Sequence, residues 1–327
     1  MNGRTTLNTC DENKIVRKDD WSEAPIITVL MPVFNAEQFL AVAVESIRKQ
    51  TYPAFELLAV NDGSTDRSLE ILQDLANQDN RIRIISRPNT GLVGALQDGL
   101  SCARGSYIAR MDADDVSSSN RLELQFAFLE TNLDVAGVSG AMRYIDEYGN
   151  PIYEKYPPLF PSDIERDLRE GIGESFLHGA SMVRKEAIKS VGGYRREFEY
   201  AEDVDLFLRI CGTGRLANLD SILLEYRMHQ SSICHRHAEL QRSRLNTLIG
   251  DKSTKVSRSD QTSEESREYF FYINIALEAL ISNNLRTSRV NAIRSLRVNP
   301  FSWRAVVILI ASTNRWFAYA LRRQIRA

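Results

Sequence analysis

From residue 26 to residue 116 the chain alternates four strand-like with three helix-like segments, a rhythm that few folds accommodate. IITVLMPV (26–33) is a continuous apolar, β-branched run, as a strand buried on both faces requires. AEQFLAVAVESIRKQ (36–50) follows with Phe39, Leu40, Val44 and Ile47 on one helical side, and Pro53 marks the break. FELLAVN (55–61), RIRIISR (81–87) and SYIARMDADD (106–115) read as further strands, separated by helices over 68–78 and 92–103. Strands alternating with helices of this length need crossover connections, which predicts an α/β fold with a mainly parallel sheet flanked by helices.

Beyond Val116 the rhythm is mixed. A helix is expected over 121–130, short strands between Gly and Pro over 135–183, a helix over 203–212 and a late strand at ILLEYRM (222–228). From about residue 236 only helical patterns remain, interrupted by the polar connector 251–266. The expected division is a polar tail (1–24), a catalytic domain (25–235, with halves 25–116 and 117–235) and an all-helical C-terminal region (236–327). Residues 1–21 lack the apolar core of a signal peptide, and the longest apolar run, Ala305 to Ala311, falls short of a membrane span. A net charge of −2 excludes the strong basic excess of a nucleic-acid binder. The four cysteines, at 10, 102, 211 and 234, form no CxxC pair, and CHRH (234–237) lacks the wider spacing of a zinc site.

The chemistry sits in carboxylates at the C-terminal ends of the expected strands, the edge where open α/β sheets bind ligands. Asp112 and Asp114, separated by one alanine, can aim at one hard divalent cation, Mg²⁺ or Mn²⁺, together with substrate phosphates. The plain alternative is a solvated loop whose aspartates cap the following helix. In NDGSTD (61–66), Gly63 and the capping residues suit a strand-to-helix turn, which leaves Asp62 free to accept hydrogen bonds from a base or ribose. In AEDVDLFLRI (201–210) the acids either complement a helix N-terminus or supply a general base. His178 and His229 are two of only four histidines, and His229, just past the last strand, is the more suggestive.

Taken in order, these segments resemble glycosyltransferase family 2, inverting nucleotide-sugar transferases with the GT-A, Rossmann-like fold. ITVLMPVFNAEQFLAVAVESIRKQTYPAFELLAVNDGSTDRS is similar to the family's opening, and RPNTGLVGALQDGLSCARGSYIARMDADD to the segment that ends in its DxD motif. HGASMVRKEAIKSVGGYRREFEYAEDVDLFLRI resembles the acceptor-side segment with the ED motif, and LEYRMHQSSIC the closing R-x-H-x-x-S strand. The resemblance implies that Pro32, Phe34, Asn35 and Glu37 surround the nucleotide and that Asp62 contacts the base, usually uracil. It implies Asp112 and Asp114 as the DxD pair, Asp114 the direct ligand of Mn²⁺ or Mg²⁺, with His229 near the diphosphate or metal. It makes Asp203, second of Glu202-Asp203, the catalytic base and places His178 near the acceptor. It also implies a UDP-sugar donor, a glycan or lipid-linked hydroxyl acceptor, and work at the cytoplasmic face in bacterial surface-polysaccharide assembly. One departure is Gln97-Asp98, where the family often has Arg-Asn.

Other readings compete. A nucleotidyltransferase opens with a Gly-rich loop that MPVFNAEQF lacks, and a haloacid-dehalogenase-type phosphatase carries its DxD on the first strand. A catalytically inactive sugar-nucleotide-binding module is the alternative from a different class. For the C-terminal helices, burial in a packed appendage, a homodimer contact and a peripheral membrane contact through 301–327 all remain open; packing is the plainer expectation for a consecutive apolar run.

Overall fold

The computed structural model describes residues 15–17, 25–232, 238–250, 264–313, 317–319 and 321–322. Most of the polar tail and connector, and the CHRH segment, lie outside them. The described chain falls into two units. The first takes in Met1–Met142, Tyr156–Glu225 and Glu239–Ser253, the second Arg143–Lys155, Tyr226–Ala238 and Thr254–Ala327.

In the first unit a short strand β1 (Ile15–Arg17) precedes β2 (Ile27–Val33), and all seven β2 residues are buried, as its unbroken apolar run demands. Helix α1 (Leu40–Arg48), β3 (Phe55–Asp62), α2 (Ser68–Gln78), β4 (Ile82–Arg87), α3 (Leu92–Cys102) and β5 (Tyr107–Arg110) follow. β4, β3, β2 and β5 are neighbours in that order and parallel. Helix α1 begins four residues later than the periodicity predicts, and residues 35–37 give their backbone N–H groups to side chains of residues 64–68. Those of Asn35, Ala36 and Glu37 donate to Ser64 Oγ, Ser68 Oγ and Asp66 Oδ2. Pro32 is tolerated in a central strand because pairing with β5 ends at Leu30, so its missing N–H is not needed there.

Past the acidic loop, β6 (Val116–Ser117), α4 (Arg121–Thr131), β7 (Val135–Ile145), β8 (Pro151–Lys155), α5 (Pro161–Arg169), β9 (Met182–Arg184), α6 (Lys185–Ser190), α7 (Glu202–Cys211) and β10 (Arg215–Arg227) extend the structure. The sheet runs β1-β4-β3-β2-β5-β9-β7-β10-β6, with β8 on β7. It is parallel from β4 to β5, while β9 meets β5 and β7, and β6 meets β10, in antiparallel fashion. Helix α8 (Ala238–Ile249) lays Leu245 and Leu248 on a core containing Phe176, Phe207 and Leu216. Cys102 is disulfide-bonded, which the irregular cysteine spacing does not announce, and Cys211 is a free thiol.

In the second unit α9 (Glu264–Ile281), α10 (Leu285–Val298) and α11 (Trp303–Thr313) enclose a small core of Ile273, Ala276, Leu280, Ala292, Ala305 and Ile308. Asn284 Nδ2 and Thr287 Oγ1 donate to the carbonyls of Ile152 and Pro151, tying α10 to β8. Among the described residues no helix is long and apolar enough to cross a membrane.

Candidate active site

Register alone gathers the acidic residues on one edge. Val33 aligns with Asn61 and Leu30 with Arg110, so the chain leaves β2, β3 and β5 on the same side at Phe34, Asp62 and Met111. Asp112, Asp114 and Asp115 lie in the turn after β5, and one oxygen from each falls within 4.8 Å of the others. They are not helix caps: β6 intervenes, and α4 starts at Arg121 without a side-chain cap. Three converging carboxylates fit a hard divalent cation, which takes oxygen ligands.

Two buried guanidiniums brace this turn. Arg110 is ion-paired to Asp112, while fully buried Arg121 donates from Nη2 to the carbonyls of Arg110 (2.7 Å) and Ser181 (3.1 Å). Burial, with Arg110 close by, pulls Arg121 down to about 9. Burial raises the Asp112 carboxyl against the opposing pull of Arg110, and Asp114 raises it further. Gly179 packs closely on this pair: a Cβ there would meet Arg110 Nη1 and Asp112 Oδ2 at an ordinary contact distance of 3.5 Å and press only on Leu224, at 3.3 Å.

Asp62 is buried and engaged: its oxygens accept the N–H groups of Thr90 (3.1 Å) and Gly91 (3.0 Å), and Arg87 Nε lies 3.3 Å away. Arg87 also reaches Asp98 at 3.1 Å, so the departure at Gln97-Asp98 is absorbed by an ion pair, while Gln97 Nε2 donates to the Tyr194 carbonyl. Asn35, at φ 49°, accepts the Thr65 N–H on Oδ1, and Glu37 Oε2 accepts that of Arg67. Phe34 is 53% exposed at this rim. Gly63 takes φ 71°, as the turn reading expects.

On the facing side, α7 begins with Glu202 and Asp203. Glu202 is buried, its Oε2 makes no hydrogen bond, and burial plus neighbouring Asp203 pushes it up to about 8. Asp203 is half-buried, accepts the Val204 N–H at 2.8 Å and is likewise raised by burial. Asp205 is instead clamped between Arg195 and Arg209, a structural role. The His178 ring is buried against Phe207, with Nε2 2.9 Å from the Tyr194 hydroxyl; burial and Arg110 hold it well below its usual range, hence neutral. Arg110 exerts its charge on Asp112, His178, Tyr194, Glu202 and Asp203, so these groups form one electrostatic unit. His229 belongs to the second unit, where its buried ring lies 2.7 Å from the Ser231 hydroxyl.

Residues 28–192 match the family model described as Glycosyl transferase family 2. The chain belongs to glycosyltransferase family 2. This glycosyltransferase is 35% identical over 212 residues to the O-antigen biosynthesis glycosyltransferase WbnJ of Escherichia coli, a match covering 63% of this chain and 81% of the relative. Its fold is also that of solved structures. TarS residues 1–349 of S. aureus, in complex with UDP-GlcNAc, superpose with TM-score 0.54 at 19% identity, covering 88% of this chain and 79% of TarS. The mannosyltransferase PcManGT of Pyrobaculum calidifontis, in complex with GDP-Man and Mn²⁺, gives 0.52 at 16%, covering 95% and 85%. The GT-A architecture follows from these likenesses together with the sheet order.

The sequence singled out the acids but missed their supports. Arg110 interrupts the apolar run YIARM, and a charge inside a buried run is the signal that could have found it; Arg121 opens the mixed pattern RLELQF and carries no such signal.

Proposed function

We propose that this glycosyltransferase moves a sugar from a nucleotide-sugar, a UDP-sugar in preference, to a hydroxyl of a glycan or lipid-linked acceptor, with inversion at the anomeric carbon. The observation that carries the reading is the convergence of Asp112, Asp114 and Asp115 on the sheet edge that also presents Asp62. Asp62, with the Thr90 and Gly91 backbone, fixes the base-binding rim, and Asn35 and Glu37 brace the Ser64–Ser68 turn beside it. Asp112 and Asp114, with Asp115 behind them, would hold Mn²⁺ or Mg²⁺, which supplies charge stabilisation for the departing nucleoside diphosphate. Arg110 keeps Asp112 aimed while the acids await that charge.

Asp203, raised by burial and partly exposed, is the group suited to take the acceptor proton as the hydroxyl attacks. One base suffices for a single displacement, whereas a glycosidase needs two flanking carboxylates. His178, neutral and held by Tyr194, offers a hydrogen-bonding wall for the acceptor. Likeness to an O-antigen transferase supports bacterial surface-polysaccharide assembly as the setting. The test is ligand-induced stabilisation. UDP with Mn²⁺ should raise the melting temperature of the wild type, and Asp112→Asn/Asp114→Asn should lose that rise; no response of the wild type to any nucleoside diphosphate sinks the reading.

A further inference from the structure

We propose that the outward face of α11 docks on an anionic lipid bilayer. Ala305, Ile308, Ala311 and Ser312 turn into the core of the second unit. Trp303, Val306, Val307 and Ile310, at i, i+3, i+4 and i+7, occupy the opposite side of the helix. All four are exposed, Trp303 at 69% and Ile310 at 50%, and Phe301 extends the stripe at 94%. A contiguous apolar stripe left in water marks an interaction surface. Sequence alone favours burial of this run; the structure buries only half of it.

Charge selects the occupant. From Leu285 to Ala327 the sequence holds nine arginines and no acidic residue, although the whole chain is at −2. Arg286, Arg289, Arg297 and Arg304 are exposed, and Arg304 lies 5.8 Å from the Trp303 ring centroid. A second copy of the chain is a poor occupant, because a two-fold contact sets the same segment against itself, and residues 285–327 offer no acidic side chain to answer their arginines. A bilayer surface supplies both halves of the match: acyl-chain boundary for Trp303 and Ile310, anionic headgroups for the arginines. The stripe spans roughly 10 Å along the helix, enough to lie in the interface plane rather than cross it.

The experiment is co-sedimentation of the full chain with phosphatidylcholine vesicles, with and without phosphatidylglycerol. Mass in solution is measured in parallel by light scattering. Wild type should sediment only with the anionic vesicles and release as salt rises. Val307→Asp/Ile310→Asp, at positions already exposed, should cut binding about tenfold or more with an unchanged circular dichroism spectrum. The proposal is overturned if wild type ignores anionic vesicles or binds both compositions alike. It is equally overturned if the protein is a dimer that the same double substitution splits. These readouts do not involve the sugar donor, so they stand or fall separately from the transferase reading.

Discussion

The Arg110 guanidinium is ion-paired to the Asp112 carboxylate from two residues away on the same strand end, and its own carbonyl is held by Arg121. A cation behind a carboxylate that would hold a metal has two effects: it favours ionisation in a partly buried turn and fixes the direction of the oxygens. Arg110→Ala should therefore lower Mn²⁺ affinity in the presence of UDP by about 10–100-fold, the usual effect of losing a group that orients a ligand. Arg110→Lys should recover part of it. Calorimetric titration of the metal, rather than activity, reads this directly; unchanged affinity in Arg110→Ala would assign the pair to stability alone.

Arg121 makes a different prediction. It is completely buried, and its Nη2 satisfies two carbonyls that no water reaches. Arg121→Met keeps the bulk but orphans the Arg110 carbonyl and leaves that of Ser181 with only the Arg110 N–H at 3.0 Å, at a cost on the order of 2 kcal/mol. Urea midpoints should show that loss; a variant as stable as wild type would contradict the role.

Glu202 gives a pH prediction whose sign can be worked out. Its carboxyl is pushed from 4.5 up to about 8, mainly by burial and then by Asp203. Between these values the folded chain keeps a proton that the unfolded chain has lost, so stability falls as pH rises across that window. Glu202→Gln has no proton to lose and should flatten the fall, gaining more over wild type at pH 8 than at pH 5.5. Denaturant curves of metal-free protein at both pH values decide it; parallel losses in the two proteins would count against a raised Glu202.

Much of this was legible before any coordinates. The strands 55–61 and 81–87 and the helix 68–78 come within a residue of their observed bounds, because each is a single-period apolar pattern closed by turn residues. The start of α1 was not, because Asn35 to Glu37 are held by bonds to residues 64–68, which local periodicity cannot see. The antiparallel half of the sheet was equally hidden, since β6 and β9 are two and three residues long and exist only through their partners. In the site, the acids stood out by spacing, whereas Arg87, Arg110, Arg121 and Tyr194 act through contacts distant in sequence or buried in apolar runs.

Asp62 tests the proposed base-binding rim. Its carboxylate gathers the Thr90 and Gly91 amides and Arg87, so Asp62→Ala should loosen that loop as well as remove an acceptor. The expected signature is a donor KM raised about tenfold with a smaller change in kcat, as for lost uniform binding. A fall in kcat alone would move Asp62 from binding to chemistry.

The central claim is that Asp112 and Asp114 serve a metal-assisted sugar transfer in which Asp203 is the base. The most direct measurement is nucleoside diphosphate release from a panel of UDP-, GDP- and dTDP-sugars, with Mn²⁺ or EDTA, in wild type and Asp203→Asn. The account predicts release from one donor that EDTA stops and that falls about 10²–10⁴-fold in the mutant while donor binding persists. Release that is indifferent to EDTA, or undiminished in Asp203→Asn, would contradict it.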